Sequence, residues 1–147
     1  MQNKVVIITG ASSGIGKALA EKYASKGFNL VLAARRIERL EKLKDKLQKV
    51  DVLAVKTDVS KEEDCKNLIN STIKKFGKID ILINNAGISM RASIEDVKVE
   101  VLHRLMDVNY WGTVYCTKYA LPHILKQKGS IVGVISTGGY IGLTGRT

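Results

Sequence analysis

Short, mostly apolar segments alternate with amphipathic segments along the 147 residues of this chain. The apolar segments are rich in β-branched residues, as expected for strands of a parallel sheet that is covered on both faces. They comprise residues 5–8, 30–32, 52–55, 79–83 and 131–135. Five strands separated by helices predict an α/β fold with a doubly wound parallel sheet, in which ligands bind at the carboxyl ends of the strands.

The amphipathic segments have apolar residues spaced by three and four, which is typical of helices that pack on a sheet. Ser60 and Glu63 have the spacing of a capping box, and Gly77 suits the end of the helix that this box would open. Residues 93–126 predict one longer helix. Since the chain contains neither a linker nor a repeat, we expect residues 1–147 to form a single domain.

The charge pattern favours anionic ligands but does not identify one. The chain has 24 basic and 14 acidic residues, a formal charge of +10, and such an excess attracts nucleic acid, anionic membranes or phosphorylated ligands. In residues 35–50, seven basic residues interleave with three acidic ones, as on the solvated face of a helix. The chain has no nucleic-acid recognition motif and no aromatic residues interleaved with the basic ones, so we do not expect a nucleic-acid partner.

Several classes of protein are disfavoured by composition. No run approaches the roughly 20 apolar residues that span a bilayer, and the apolar stretch near the N-terminus is too short for a signal peptide. The two cysteines, Cys65 and Cys116, have no metal-type spacing and are too few for a disulfide framework. We expect two reduced thiols on helix faces, no metal site and a cytoplasmic protein.

Glycine stands at positions 10, 14 and 16, directly after the first predicted strand, and a helical pattern begins at Lys17. Gly10 allows the chain to turn sharply off the strand. Gly14 lets a pyrophosphate approach the backbone, and Gly16 lets the helix pack closely on the sheet. The free N–H groups at the start of a helix attract phosphate. This turn predicts the nucleotide-binding site of a Rossmann fold.

The spacing Thr9-Gly10-x-x-x-Gly14-x-Gly16 resembles the cofactor motif of the short-chain dehydrogenase/reductase family. Further motifs similar to those of the family follow in the same order, and the resemblance covers essentially the whole chain. They are Asp58-Val59 after the third strand, Asn84-Asn85-Ala86-Gly87 after the fourth, Asn109 in the long helix and Ser136 at the end of the fifth strand. Each residue alone also fits a purely structural role, such as a cap, a turn or a strand-end hydroxyl, and the ordered set favours the family.

The resemblance implies an oxidoreductase that transfers hydride between a nicotinamide cofactor and a ketone or secondary alcohol. In the family, a serine holds the substrate carbonyl, a tyrosine exchanges the proton, and a lysine lowers the pKa of the tyrosine. Ser136 and Asn109 are the implied catalytic residues of this chain. A homodimer or homotetramer is implied for the full-length protein. The implied cofactor-binding residues are Gly10, Ser12, Ser13, Gly14, Ile15, Gly16, Arg35, Arg36, Asp58, Val59, Asn85, Ala86 and Gly87.

The residues after the second strand indicate which nicotinamide cofactor is bound. Ala34 stands where members of the family that prefer NAD carry aspartate, and Arg35 follows it. A carboxylate there would bind the ribose 2′-hydroxyl of NAD, whereas an arginine accommodates the 2′-phosphate of NADP. We therefore expect NADP(H), with NAD(H) less favoured. The alternative is that Arg35 and Arg36 merely begin the charged helix.

The catalytic set of the family is incomplete in this chain. The tyrosine of the family would fall just beyond Thr147, and Tyr140 is not a substitute because no lysine follows Lys128. We expect the N-terminal part of a longer enzyme, without the last strands and the substrate loop and inactive by itself. A non-catalytic nucleotide-binding or sensor domain is the alternative. Residues 105–112 are loosely similar to members that act on lipid-like or steroid-like ketones.

Overall fold

The computed structural model describes residues 3–136, Gly138 and Ile141. Within these residues, five parallel strands form one sheet in the order β3-β2-β1-β4-β5, which confirms the predicted α/β architecture. The chain runs outward from β1 to β3 and then returns to the other side of β1, so the topology reverses between β1 and β4. The strands are β1 (Val5–Thr9), β2 (Asn29–Ala34), β3 (Val52–Lys56), β4 (Ile81–Asn84) and β5 (Ser130–Gly133).

The helices connect these strands and cover both faces of the sheet. They are α1 (Gly14–Ser25), α2 (Ile37–Lys46), α3 (Glu62–Phe76), α4 (Val99–Met106) and α5 (Gly112–Lys126), with a π-helical turn, Asp107–Trp111, between the last two. In the part of the chain that the structure describes, no helix has the length and apolar character that crossing a bilayer requires.

Two apolar cores lie on opposite faces of the sheet, and β1 contributes to both. Val6 and Ile8 belong to the core with α1 and α2, whereas Val5 and Ile7 belong to the core with α3 and α5. Every residue of β1 is buried, because the strand lies between two others and is covered on both faces. Burying one such aliphatic side chain contributes roughly 1.5–3 kcal/mol. The continuous apolar run in the sequence is explained by this double burial.

The predicted capping box does not form. Helix α3 begins after Lys61, and Ser60 instead donates its hydroxyl hydrogen to Asp58 Oδ1 at 2.7 Å. The Asp58 N–H donates to Asp64 Oδ2 at 2.8 Å, so a different pair of side chains orders the loop before the helix. Gly77 ends α3 with φ +72°, as its sequence position predicts.

The single helix predicted over residues 93–126 is also wrong. Residues 93–97 form a turn, in which Ser93 donates its hydroxyl hydrogen to Asp96 and the Val97 N–H donates to the Ser93 carbonyl. The helix starts only at Val99, and the π-helical turn interrupts it. Strand β5 ends at Gly133, so Ser136 lies three residues beyond the strand rather than at its end.

Candidate cofactor and active site

A cleft of about 300 Å³ opens at the carboxyl ends of β1, β2, β3 and β4, where the topology of the sheet reverses. Ligands of open α/β sheets bind at this place. All the sequence-predicted cofactor residues line it except Gly14 and Gly16, and four further residues do so, Ala34, Thr57, Ile88 and Val108. The predicted residues in the lining are Gly10, Ser12, Ser13, Ile15, Arg35, Arg36, Asp58, Val59, Asn85, Ala86 and Gly87.

In the turn that follows β1, each glycine is favoured for a different physical reason. A Cβ on Gly10, whose φ is +67°, would lie 2.9 Å from the Ala86 Cα. A Cβ on Gly16 would lie 2.5 Å from both the Gly10 carbonyl oxygen and Asn85 Nδ2, so Gly16 packs closely on the turn and on the residue that follows β4. Gly14, with φ +55°, has nothing within 4 Å of its Cβ position. No neighbouring atom excludes a side chain at Gly14, and it is the left-handed φ there that favours glycine.

Thr9, at the end of β1, connects the ends of β1 and β4 at the bottom of the cleft, a role that the sequence did not predict. Its Oγ1 accepts hydrogen bonds from the N–H groups of Asn85 and Ala86, both at 3.0 Å, and donates to the Ile83 carbonyl at 3.3 Å. The side-chain amide of Asn85 donates from its Nδ2 to the Thr9 carbonyl at 2.9 Å. One buried hydroxyl thus fixes the end of β4 against the end of β1.

A positively charged side chain lies beside the glycine turn that follows β1. Arg36 follows β2, and its Nη2 donates to Ser12 Oγ at 3.2 Å and to Ser13 Oγ at 3.4 Å. Ser13 is the N-cap of α1 but makes no side-chain cap hydrogen bond, and the first turn of α1 contains no acidic residue. A helix N-terminus of this kind attracts anions. The guanidinium and the helix N-terminus therefore face the same part of the cleft with the same sign of charge.

Asp58 and Val59 form the wall after β3. Asp58 Oδ1 accepts hydrogen bonds from both the N–H and the hydroxyl of Ser60, which holds the carboxylate in place. Val59 is buried and packs against Gly112 of α5, where an added Cβ would lie 2.7 Å from a Val59 methyl carbon. The absence of a side chain at Gly112 lets α5 approach this wall.

Asn109 lies in the π-helical turn and forms a paired hydrogen bond with the backbone of Ile88. Its Nδ2 donates to the Ile88 carbonyl and its Oδ1 accepts from the Ile88 N–H, both at 2.9 Å. The Thr113 hydroxyl donates to the Asn109 carbonyl at 3.0 Å. π-helical turns inside α-helices are frequent at functional sites, because they re-aim side chains. Here the turn aims Asn109 at the loop that lines the cleft after Gly87.

Ser136 is exposed, and its Oγ accepts a hydrogen bond from the Gly138 N–H at 3.1 Å. It is not among the residues that line the cleft, although the preceding strand, β5, lies beside β4. Asn84, at the end of β4, donates its amide hydrogen to Thr117, and within the described ranges its Oδ1 is the only buried side-chain oxygen or nitrogen without a partner. Tyr140 and residues 142–147 lie outside the described residues.

Comparisons with known proteins agree with this geometry. The family model for short chain dehydrogenases matches residues 4–147. An 11-beta-hydroxysteroid dehydrogenase-like protein 3 of Arabidopsis thaliana is 47% identical over 137 residues, which are 90% of this chain and 44% of that protein. An 11-beta-hydroxysteroid dehydrogenase of Pinus massoniana is 44% identical over 145 residues, 96% of this chain and 41% of that protein. The chain belongs to the short-chain dehydrogenase/reductase family, and it spans less than half the length of these two relatives.

Solved structures with the same fold hold either type of nicotinamide cofactor. A short-chain dehydrogenase/reductase from Burkholderia phymatum in complex with NAD has a TM-score of 0.94 and 32% identity, over 99% of this chain and 53% of that one. An alcohol dehydrogenase from Thermococcus sibiricus complexed with 5-hydroxy-NADP has a TM-score of 0.87 and 33% identity, over 92% of this chain and 63% of that one. These two neighbours therefore differ in the nicotinamide cofactor that they hold.

Proposed function

We propose that this chain is the nucleotide-binding part of an NADP(H)-dependent oxidoreductase that interconverts a ketone and a secondary alcohol. The observation that carries the proposal is the position of Arg36, whose guanidinium bonds the hydroxyls of Ser12 and Ser13 beside the phosphate-binding turn. Residues 1–147 would supply the cofactor site and part of the catalytic set.

The preference for NADP(H) rests on charge at the end of β2. The strand ends at Ala34, which has no carboxylate to bind a ribose 2′-hydroxyl or to repel a 2′-phosphate. Arg35 and Arg36 are exposed and line the cleft next to it. A guanidinium that already contacts two serine hydroxyls can bind a phosphate together with them, through charge-assisted hydrogen bonds.

The residues present fit a dinucleotide. The open backbone at Gly14 and the N-terminus of α1 would bind the pyrophosphate. Asp58 and Val59 would contact the adenine, and the segment Asn85–Ile88, fixed by Thr9 and Asn109, would support the nicotinamide half. When bound, the cofactor supplies or accepts the hydride. Ser136 would donate a hydrogen bond to the substrate carbonyl and so favour the developing charge on its oxygen.

The names of the relatives suggest the substrate class. Proteins called 11-beta-hydroxysteroid dehydrogenase or 11-beta-hydroxysteroid dehydrogenase-like match nearly the whole chain at 43–47% identity. We propose a bulky, apolar ring ketone or the corresponding alcohol as substrate. Tyr110 and Trp111, exposed next to Asn109, offer apolar surface for such a ring system.

The proposal is tested by titrating NADPH and NADH into the full-length protein and into Arg36→Ala. A lost charge-assisted contact costs about 1.5–3 kcal/mol, so we expect NADPH to bind roughly 10- to 100-fold more weakly to the variant while NADH is little affected. Arg39→Ala is the matched control, because Arg39 is an exposed arginine in the first turn of α2, directly after Arg36, and does not line the cleft. Equal losses for both cofactors in Arg36→Ala would contradict the proposed 2′-phosphate contact.

A further inference from the structure

The only two cysteines of the chain, 51 positions apart in sequence, meet in the core. Cys65 of α3 and Cys116 of α5 are fully buried, and their sulfur atoms lie 3.5 Å apart. Both are free thiols. Neither takes part in the cofactor site described above, and their separation in sequence gave no sign of the contact.

We propose that Cys65 and Cys116 form a reversible disulfide when the protein meets a peroxide. One thiolate attacks the O–O bond of the peroxide, so that an S–O bond forms and hydroxide leaves as water. The second thiolate then attacks the sulfenic sulfur, an S–S bond forms, and a second water is released. Two thiols and one hydrogen peroxide thus give one disulfide and two waters, with two electrons passing from sulfur to the peroxide.

The surroundings of the pair favour this bond. A disulfide has an S–S distance of about 2.05 Å, so the two sulfurs, which lie 3.5 Å apart, must approach by about 1.5 Å. The two helices are also connected at the surface, because the Tyr119 hydroxyl donates to Glu62 Oε1 and Lys118 lies 3.5 Å from the same carboxylate. These contacts hold α3 and α5 side by side and favour their return to contact after a local opening.

The same surroundings make the first step slow. Cys65 and burial together raise the pKa of the Cys116 thiol above its usual range, so this thiol stays protonated at neutral pH. Cys65 is also buried, and its Sγ lies 3.5 Å from the Val59 carbonyl, to which it donates. A peroxide therefore reaches the pair during a local opening of the helices. When the helices close again, the sulfenic sulfur and the second thiol return to contact, so the second step is fast. The pair would respond to sustained rather than brief oxidation.

Peptide mapping of the full-length protein after peroxide treatment tests the proposal. Free thiols are alkylated, and the protein is digested with trypsin without a reducing agent. We expect peptide 62–66 to be linked to peptide 105–118, with a mass two hydrogens below their sum, and dithiothreitol to separate them. Met106 is exposed and lies in the second peptide, so the search allows one added oxygen on it. The linked pair identifies the partner of each cysteine even if other cysteines are present in the rest of the protein.

Thermal unfolding gives a second readout. A disulfide that closes a loop of about 50 residues should raise the midpoint of unfolding by roughly 10 °C, and dithiothreitol should reverse the rise. Cys116→Ala and Cys65→Ala should show neither the linked peptides nor the peroxide-dependent rise. If either variant fails to fold, the peptide map of the parent protein decides. Recovery of both peptides as separate alkylated, sulfinic or mixed-disulfide species after peroxide treatment would overturn the proposal.

Discussion

Two regions at the carboxyl edge of the sheet differ in how firmly the chain itself holds them. The nucleotide region, residues 9–16 with 34–36 and 85–87, is fixed by the buried Thr9 hydroxyl, the Asn85 amide and the close approach of Gly10 to Ala86. The reaction region, residues 107–111 with 134–136, is exposed except for Val108. The nucleotide region is thus fixed by contacts at the ends of β1 and β4, whereas Ser136 lies on an exposed segment, where its Oγ accepts a hydrogen bond from the nearby Gly138 N–H.

The same difference is visible in the secondary structure around each region. β1 is buried at every residue, whereas β5 is exposed at every residue and α4 buries none of its side chains. Asn84 Oδ1, which has no hydrogen-bond partner among the described residues, lies where β4 meets β5. Cofactor affinity and catalytic turnover should therefore respond to different substitutions, and the following predictions test that separation in the full-length protein.

The largest effect is expected for Ser136→Ala. If the Ser136 hydroxyl stabilises the reacting carbonyl, its loss should lower kcat by roughly 10²–10³-fold, while NADPH affinity stays the same because Ser136 does not line the cleft. Steady-state kinetics and titration of NADPH measure the two quantities. Ser130→Ala, an exposed serine at the start of β5, is the control. A parallel loss of NADPH affinity in Ser136→Ala would show that the two regions are not separable.

Thr9→Val, in the nucleotide region, should lower the stability of the fold. Valine has nearly the same shape but leaves the N–H groups of Asn85 and Ala86 without the acceptor they use in the fold. Each unsatisfied buried group costs about 1–3 kcal/mol. Because both N–H groups are only partly buried, the free energy of unfolding should fall by roughly 2–4 kcal/mol, the lower part of the range for two groups. Denaturant unfolding measures this loss, and Thr9→Ser, which retains the hydroxyl, should recover most of it. Equal stability of Thr9→Val and the parent would contradict the role given to this hydroxyl.

The glycine turn and Thr9 illustrate what the sequence could and could not predict. The glycine turn and the strand alternation are local patterns, and the sequence analysis predicted the fold and the position of the nucleotide turn from them. The hydrogen bonds of Thr9 span 74 to 77 positions, so no local pattern announces them. The Cys65–Cys116 contact was missed for the same reason.

The wrong predictions came from patterns that two structures can share. The apolar spacing over residues 93–126 fits one helix as well as two helices joined by a π-helical turn. A π-helical turn has one more residue per hydrogen-bonded turn than an α-helix, and the apolar periodicity alone does not reveal it. The Ser60–Glu63 spacing fits a capping box, but Asp58 lies nearer to Ser60 and takes its hydrogen bonds. In both places, contacts that the sequence does not show decided the local structure.

Gly14→Ala should weaken the binding of both NADPH and NADH by about tenfold. An added methyl group would project into the open space that the pyrophosphate is proposed to fill, and the left-handed φ of +55° adds backbone strain of about 1 kcal/mol. Gly77→Ala is a matched control, since Gly77 also has a left-handed φ, +72°, and nothing within 4 Å of its Cβ position, but it lies at the end of α3. Both variants should lose similar stability, and only Gly14→Ala should lose affinity. Unchanged affinity in Gly14→Ala would show that the turn does not bind phosphate.

The smallest effect is expected for Glu62→Gln, which lies in neither region. The hydrogen bond from Tyr119, together with the nearby Lys118 and Lys66, holds the pKa of Glu62 below its usual value of 4.5. A lowered folded-state pKa contributes stability above pH 4.5 that is lost as the pH falls through the folded-state pKa. The difference in unfolding midpoint between parent and variant should therefore be small near pH 7 and disappear at lower pH. Thermal unfolding at several pH values measures it, and a difference that grows on acidification would have the wrong sign.

The most direct measurement of the central claim is the ratio of NADPH to NADH affinity in the unmodified full-length protein. Calorimetric titration of both cofactors at one fixed salt concentration gives this ratio. Because Arg36, Ser12 and Ser13 together surround the place proposed for the 2′-phosphate, and β2 ends without a carboxylate, we predict that NADPH binds at least about tenfold more tightly. Equal affinities, or tighter binding of NADH, would contradict the assignment of this cleft to NADP(H).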